Sequence, residues 1–89
     1  MHQSEVIKLV EKWLADPESV SFKKLRSAAE DISTAEAIAA AGSIPVYTAV
    51  YSAVYAAVYA AEYTDVAEYW TADTRRYVDE YHELTKDSD

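Results

Sequence analysis

Residues 46–65 read VYTA-VYSA-VYAA-VYAA-EYTD, a tandem repeat of four residues. Tyrosine falls at Tyr47, Tyr51, Tyr55, Tyr59 and Tyr63, valine at Val46, Val50, Val54 and Val58, and alanine at Ala49, Ala53, Ala57 and Ala61. The unit is one helical turn, too short to be a solenoid module. A period of four overshoots the 3.6-residue turn by about 40°, so five tyrosines sweep roughly 160° around a helix. Such a row follows an i±4n ridge, which packs on a neighbour at a steep crossing near −50°. The alanine row admits a close backbone and the valine row supplies β-branched packing. Every face is apolar or aromatic, so the segment calls for cover on most sides.

The repeat lies within residues 37–61, which carry no charge. The longest clean apolar part, residues 44–61, is 18 residues, at the lower edge of a membrane span. Gly42, Ser43 and Pro45 interrupt the uncharged run, a tyrosine recurs every fourth position, and no polybasic flank sets an orientation. The expectation is a helix that does not enter a membrane. The first residues show no basic-then-apolar leader pattern, so a cytoplasmic location is expected.

Composition narrows the fold. Eighty-nine residues suit one domain with a thin stability margin. There is no cysteine, and His2 and His82 are the two histidines, which excludes disulfides and zinc knuckles. One glycine and two prolines argue against an all-β fold, which needs frequent turn residues. The expected class is therefore all-α: a bundle of two shorter N-terminal helices and one long C-terminal helix. Sixteen acidic against eight basic residues leave a net charge of −8, which disfavours nucleic acid and anionic membranes as direct partners.

The first helix is predicted over 4–15, with Val6, Ile7, Val10, Trp13 and Leu14 on one face and Ser4 as its cap. Asp16-Pro17 ends it, and Asp16 can cap a second helix. That second helix is predicted over 19–41, with Phe22, Leu25, Ala29, Ile32 and Ala39 facing inward, Arg26 and Glu30 spaced to pair, and Gly42 at its C′ position. The third opens near Pro45 and is predicted over 45–86. Unbroken it would be ~60 Å long, a rod that 89 residues do not cover. Either it kinks or breaks between Thr64 and Asp73, where Asp65-x-x-Glu68 resembles a capping box, or it pairs with another chain.

Residues that carry chemistry are few. Glu62, Asp65 and Glu68 form an acidic stripe at i, i+3, i+6, with Asp73 further along. A solvated face is the default for such a stripe, and partner binding is the functional alternative. Asp79 and His82 are spaced to share one metal, but the sequence matches no established ligand pattern, so no metal and no cofactor are expected. The tyrosine row (Tyr47, Tyr51, Tyr55, Tyr59, Tyr63) with Ala49, Ala53 and Ala57 is assigned to core or oligomer packing. A base-stacking platform is the alternative, but residues 27–74 hold no basic group. Lys23, Lys24 and Arg26 are expected to face the acidic C-terminal part, and Arg75–Asp79 and Arg76–Glu80 to close as helix pairs.

The segment from Val10-Glu-Lys-Trp-Leu-Ala-Asp-Pro to Ser21, the alanine- and tyrosine-rich helix, and Tyr77-Val-Asp-Glu-Tyr-His-Glu-Leu-Thr85 together resemble a group of small alanine-rich proteins of tailed bacteriophages. The tetrad is also similar to repeats in bacterial proteins described as immunity proteins. The resemblance spans most of the chain and implies a phage or bacterial accessory protein, not an enzyme. Such a protein would bind and block a host protein in the host cytoplasm, with acidity that mimics nucleic acid in the cleft of a DNA-binding enzyme. Two alternatives stand beside it. One is a self-assembling homo-oligomer, and the other is a nucleotide sponge in which tyrosines stack a base and Arg75 or Arg76 meets its phosphate.

Overall fold

Helices account for nearly all of residues 2–86, which the computed structural model describes. Five α-helices follow one another: α1 (Gln3–Ala15), α2 (Phe22–Ile32), α3 (Ala35–Ala40), α4 (Ile44–Glu62) and α5 (Ala67–Thr85). Two single 3-10 turns, Pro17–Ser19 and Thr64–Val66, join α1 to α2 and α4 to α5. There is no strand among the described residues, and the all-α helical bundle read from the sequence is the fold.

Local chemistry explains most boundaries. At the start of α1 the cap is His2 rather than Ser4: the His2 ring Nδ1 accepts the Ser4 N–H at 3.2 Å. Asp16 closes α1, and its carboxylate accepts the Glu18 N–H in the 3-10 turn. Ser21 caps α2 by accepting from the Lys24 N–H. The predicted single helix over 19–41 is corrected at Ser33-Thr34, where it divides into α2 and α3. The Ser33 hydroxyl donates to the Ala29 carbonyl at 2.7 Å, and Thr34 accepts the Ala37 N–H at 3.1 Å as the cap of α3. Serine and threonine offer the backbone these competing bonds, which is why they divide a helix that alanine would continue. Gly42 follows the α3 cap at φ +73°, the left-handed conformation its C′ position requires. Ser43 then caps α4, with Pro45 in its first turn.

The long helix is broken. α4 ends at Glu62, and Tyr63 leaves helical geometry at φ −106°, ψ 75°. The turn Thr64–Val66 comes next, and neither it nor α5 has a side-chain cap, so the expected Asp65-x-x-Glu68 capping box does not form. The break opens at Tyr63, one residue ahead of the predicted window, and runs through Thr64–Val66 inside it. It coincides with the end of the repeat's apolar rows, where Glu62 takes the valine position and Asp65 the alanine position. A helix continued past this point would carry Trp70, Tyr77, Val78 and Tyr81 away from the bundle, whereas a reversal lays them back against its core.

α4 is the centre of the bundle and packs against α1, α2 and α5, while α5 also packs along α1. Tyr59 meets Trp70 and Tyr51 shares a groove with Tyr77, so α5 runs antiparallel to α4. The fully buried face of α4 comes from the small and β-branched rows: Ala49, Val50, Ala53, Val54, Ala56, Ala57, Val58 and Ala60. They join Val6, Ile7, Val10, Trp13, Val20, Leu25, Ala28, Ala29, Ile32 and Val78 in the core. The bundle measures 35 × 24 × 19 Å with a radius of gyration of 12.2 Å. A compact domain of this length is expected near ~12 Å, so the chain folds back on itself rather than extending as a rod. By length and apolarity α4 would also serve as a membrane span, and the fold buries 44% of that window against other helices.

Candidate aromatic and acidic binding face

The tyrosine row runs along the outer ridge of α4. Successive ring centroids lie 5.9, 4.5, 6.3 and 6.1 Å apart from Tyr47 to Tyr63, all with tilted planes. The row lies in the seam between α2 and α5 and touches both. Its early members lean on α2: the Tyr47 hydroxyl donates to the Ile32 carbonyl at 2.5 Å, and the Tyr55 hydroxyl lies 2.8 Å from Ser33 Oγ. Ser33 gives its one proton to the Ala29 carbonyl, so Tyr55 is the donor in that pair. Two tyrosines and a serine thus bind groups at the C-terminal end of α2, including terminal carbonyls that have no partner within the helix. Further along, Tyr59 turns to α5 and packs on Trp70 at 5.0 Å, with Tyr69 edge-on to Trp70 at 5.1 Å.

Burial raises the Tyr47 and Tyr51 phenols above the ordinary tyrosine value, with a further contribution from neighbouring rings of the row. These phenols stay neutral through the physiological range.

Between α4 and α5 lies a shallow groove of about 230 Å³ lined by Tyr51, Ser52, Tyr55, Ala56, Tyr59, Trp70, Asp73 and Tyr77. Among the described residues Asp73 is its one charged lining residue. Arg76 contacts two of these lining residues: its guanidinium sits 4.9 Å from the Tyr77 ring centroid, donates to the Tyr77 hydroxyl at 3.1 Å and lies 3.4 Å from the Asp73 carboxylate. The bond to Tyr77, and after it the Asp73 charge, raise the Arg76 pKa, so it is a permanent cation.

The structure redistributes the residues singled out in the sequence. Tyr51, Tyr55, Tyr59 and Asp73 come together in the groove, with Tyr47 and Tyr63 at the ends of the ladder. Ala49, Ala53 and Ala57 are buried in the bundle. Tyr51, Tyr59 and Tyr63 are exposed rather than enclosed. Glu62, Asp65 and Glu68 do not form one helical stripe, because the helix breaks between them. Glu62 ends α4, Asp65 lies in the turn and Glu68 is in the first turn of α5, all exposed. They alternate with Tyr63, Val66 and Tyr69, which are 50%, 47% and 63% exposed. The corner is therefore acidic and apolar at once.

Two expected ion-pair sets are corrected. Among the described residues Arg76 pairs with Asp73 rather than Glu80, and Arg75 and Asp79 line one shallow groove without an ion pair. The pair Arg26–Glu30 forms at 3.5 Å. Of the basic cluster on α2, Arg26 shares a groove with Glu62, and it is α1 that packs along α5. There the His82 ring lies 3.1 Å from the Glu11 carboxylate, both largely exposed. Among the described residues no three of His, Asp and Glu converge as metal ligands.

Trp70 and Tyr77 are groove residues that the tetrad does not announce. Their signal is the spacing of Trp70, Asp73 and Tyr77 at i, i+3, i+7, one face of a helix. No protein-family model, no curated protein and no solved structure matches the chain.

Proposed function

We propose that this chain is a non-enzymatic accessory protein that works by occupying the basic surface of another protein. In the setting its resemblance implies, that partner is a host protein such as a DNA-binding enzyme. The observation that carries the reading is the corner at 62–69, where three exposed carboxylates alternate with exposed Tyr63, Val66 and Tyr69. The carboxylates supply long-range attraction and orientation toward a basic cleft. The tyrosines supply rigid contact area of the kind that dominates interface energetics. Exposed apolar groups clustered with charge, rather than scattered singly, are the ordinary mark of an interaction surface.

The test is capture of lysate proteins on immobilised chain, comparing the parent with a Glu62→Lys, Asp65→Lys, Glu68→Lys triple variant. The reading expects basic proteins to be retained by the parent, released by added duplex DNA and lost by the variant. Equal capture by the variant contradicts it, and capture insensitive to DNA removes nucleic-acid mimicry. Self-assembly is a second reading, favoured by the exposure of Tyr51, Tyr59, Tyr63 and Tyr69 along one side of the bundle. Light scattering tests it: a 9.9 kDa particle at high concentration excludes it.

A further inference from the structure

We propose that the groove between α4 and α5 is a receptor for an arginine side chain of the partner, and that Arg76 is its built-in competitor. The inference rests on the reading of this face as a docking site for a basic protein and assigns the chemistry of one contact within it.

Three observations point to a guanidinium. Five of the groove's lining residues are aromatic, Tyr51, Tyr55, Tyr59, Trp70 and Tyr77, and aromatic faces attract cations through their quadrupole. The charge in the lining is a carboxylate, Asp73, whose side chain is 22% exposed and so partly shielded from water. An anion would meet repulsion here, while a cation gains both ring and carboxylate. The third observation is Arg76. A guanidinium already sits against two of the groove's lining residues, over Tyr77 and beside Asp73. Its planar fork matches the carboxylate, and its flat face matches the rings.

Arg76 holds them loosely. Its side chain is 67% exposed and its pairing with Asp73 is a surface interaction of small worth. A partner's arginine entering from the Trp70 side would share or displace it on Asp73 and lie along the rings of Tyr55, Tyr59 and Trp70. Arg76 thus competes weakly for Asp73 in the free protein and lowers the apparent affinity for cations in general. Only a ligand that also gains the ring contacts overcomes that competition.

The experiment is a ¹⁵N NMR titration of the full chain with a blocked tri-arginine peptide, read at the two indole N–H resonances. Trp70 lines the groove, and Trp13, 5% exposed in the core, is the internal reference and reports that each variant is folded. The expected result is a saturable shift of Trp70 with Trp13 unmoved. Asp73→Asn should weaken binding and Arg76→Ala should tighten it, each by roughly two- to fivefold, the scale of an exposed cation–ring contact. The tightening is the decisive sign, since removing a positive charge from a merely acidic surface also favours cations but does so equally in Asp73→Asn protein. The inference is overturned if Trp70 does not move, if a tri-glutamine peptide moves it equally, or if Arg76→Ala has the same effect with Asp73 present or absent. A Trp70 shift on simple dilution of the free protein would make a second copy the occupant and overturn it as well. The triple variant at Glu62, Asp65 and Glu68 separates the two levels. If it loses protein capture while the groove variants leave capture unchanged, the docking reading stands and the arginine site fails.

Discussion

Ala57 is fully buried in the middle of α4, in the row that brings this helix close to its neighbours. Ala57→Leu adds three carbon atoms where the core is closed, and overpacking of that kind costs about 1–3 kcal/mol. Leucine and alanine are both strong helix formers, so the change isolates packing from propensity. A chain of 89 residues holds roughly 4–13 kcal/mol of stability at typical values per residue, so the loss is a sizeable share of the total. In a domain this small each kcal/mol moves the midpoint by about 4–8 °C, and the variant should melt some ~4–24 °C below the parent. Circular dichroism melting and urea titration both read it. Thr48→Leu, on an exposed position of the same helix, is the control and should stay within about 0.5 kcal/mol. The deficit should also be independent of protein concentration, because the crowding lies within one chain. A variant as stable as its control would show that the alanine row faces open space, and a deficit that vanishes at high concentration would place it between chains. Either result refutes the packing described for α4.

Gly42→Ala should cost about 1–2 kcal/mol in a urea titration, the penalty for a left-handed residue with a Cβ, although no atom lies within 4 Å of the position to clash. Gly42→Asn should recover part of it. Tyr47→Phe removes the bond to the Ile32 carbonyl and should lower stability by about 1 kcal/mol. Because the Tyr47 and Tyr51 phenols titrate above the ordinary value of 10.0, their contribution is fully present below that pH and is lost as pH rises through their raised pKa. Stability followed by urea titration should therefore fall above about pH 10, less steeply in Tyr47→Phe. His82→Ala should change stability by no more than about 0.5 kcal/mol, since its pair with Glu11 is solvent-exposed.

The sequence carries the fold class openly, because an apolar repeat with the length of one helical turn and a single glycine leave little else to form. The boundaries it marks well are those with a covalent or conformational cause: Asp16-Pro17, Gly42 and Ser43-x-Pro45. It marks poorly those set by side-chain competition or by tertiary need. Ser33-Thr34 divides a helix that apolar periodicity runs straight through, since each hydroxyl finds a backbone partner that a periodicity count does not weigh. The reversal at Tyr63 has no glycine, proline or cap to announce it. Its cause is the loss of the valine and alanine rows at Glu62 and Asp65, legible only when the fifth tetrad is read as a failed copy of the first four.

The candidate site divides in the same way. The tyrosine ladder is plain in the repeat, and the spacing of four sets its rings one turn apart along α4. The partner wall of the groove is not plain, because Trp70, Asp73 and Tyr77 gain meaning only once α5 folds back beside Tyr51 and Tyr59. The acidic corner gains its mixed character from the same turn, which sets Glu62, Asp65 and Glu68 among exposed Tyr63, Val66 and Tyr69.

That reversal underlies the buried α4, the groove and the corner alike, and one distance tests it. The chain has no cysteine, so Ser52→Cys with Tyr77→Cys gives a unique pair for spin labels, diluted with unlabelled protein to isolate distances within one chain. Both positions line the same groove, so the labels should report a short separation set by helix axes about 8–10 Å apart. A continuous helix, or an exchange of α5 between copies, would instead separate the two residues by about 38 Å at 1.5 Å per residue, and that distance would contradict the fold on which the proposed function depends.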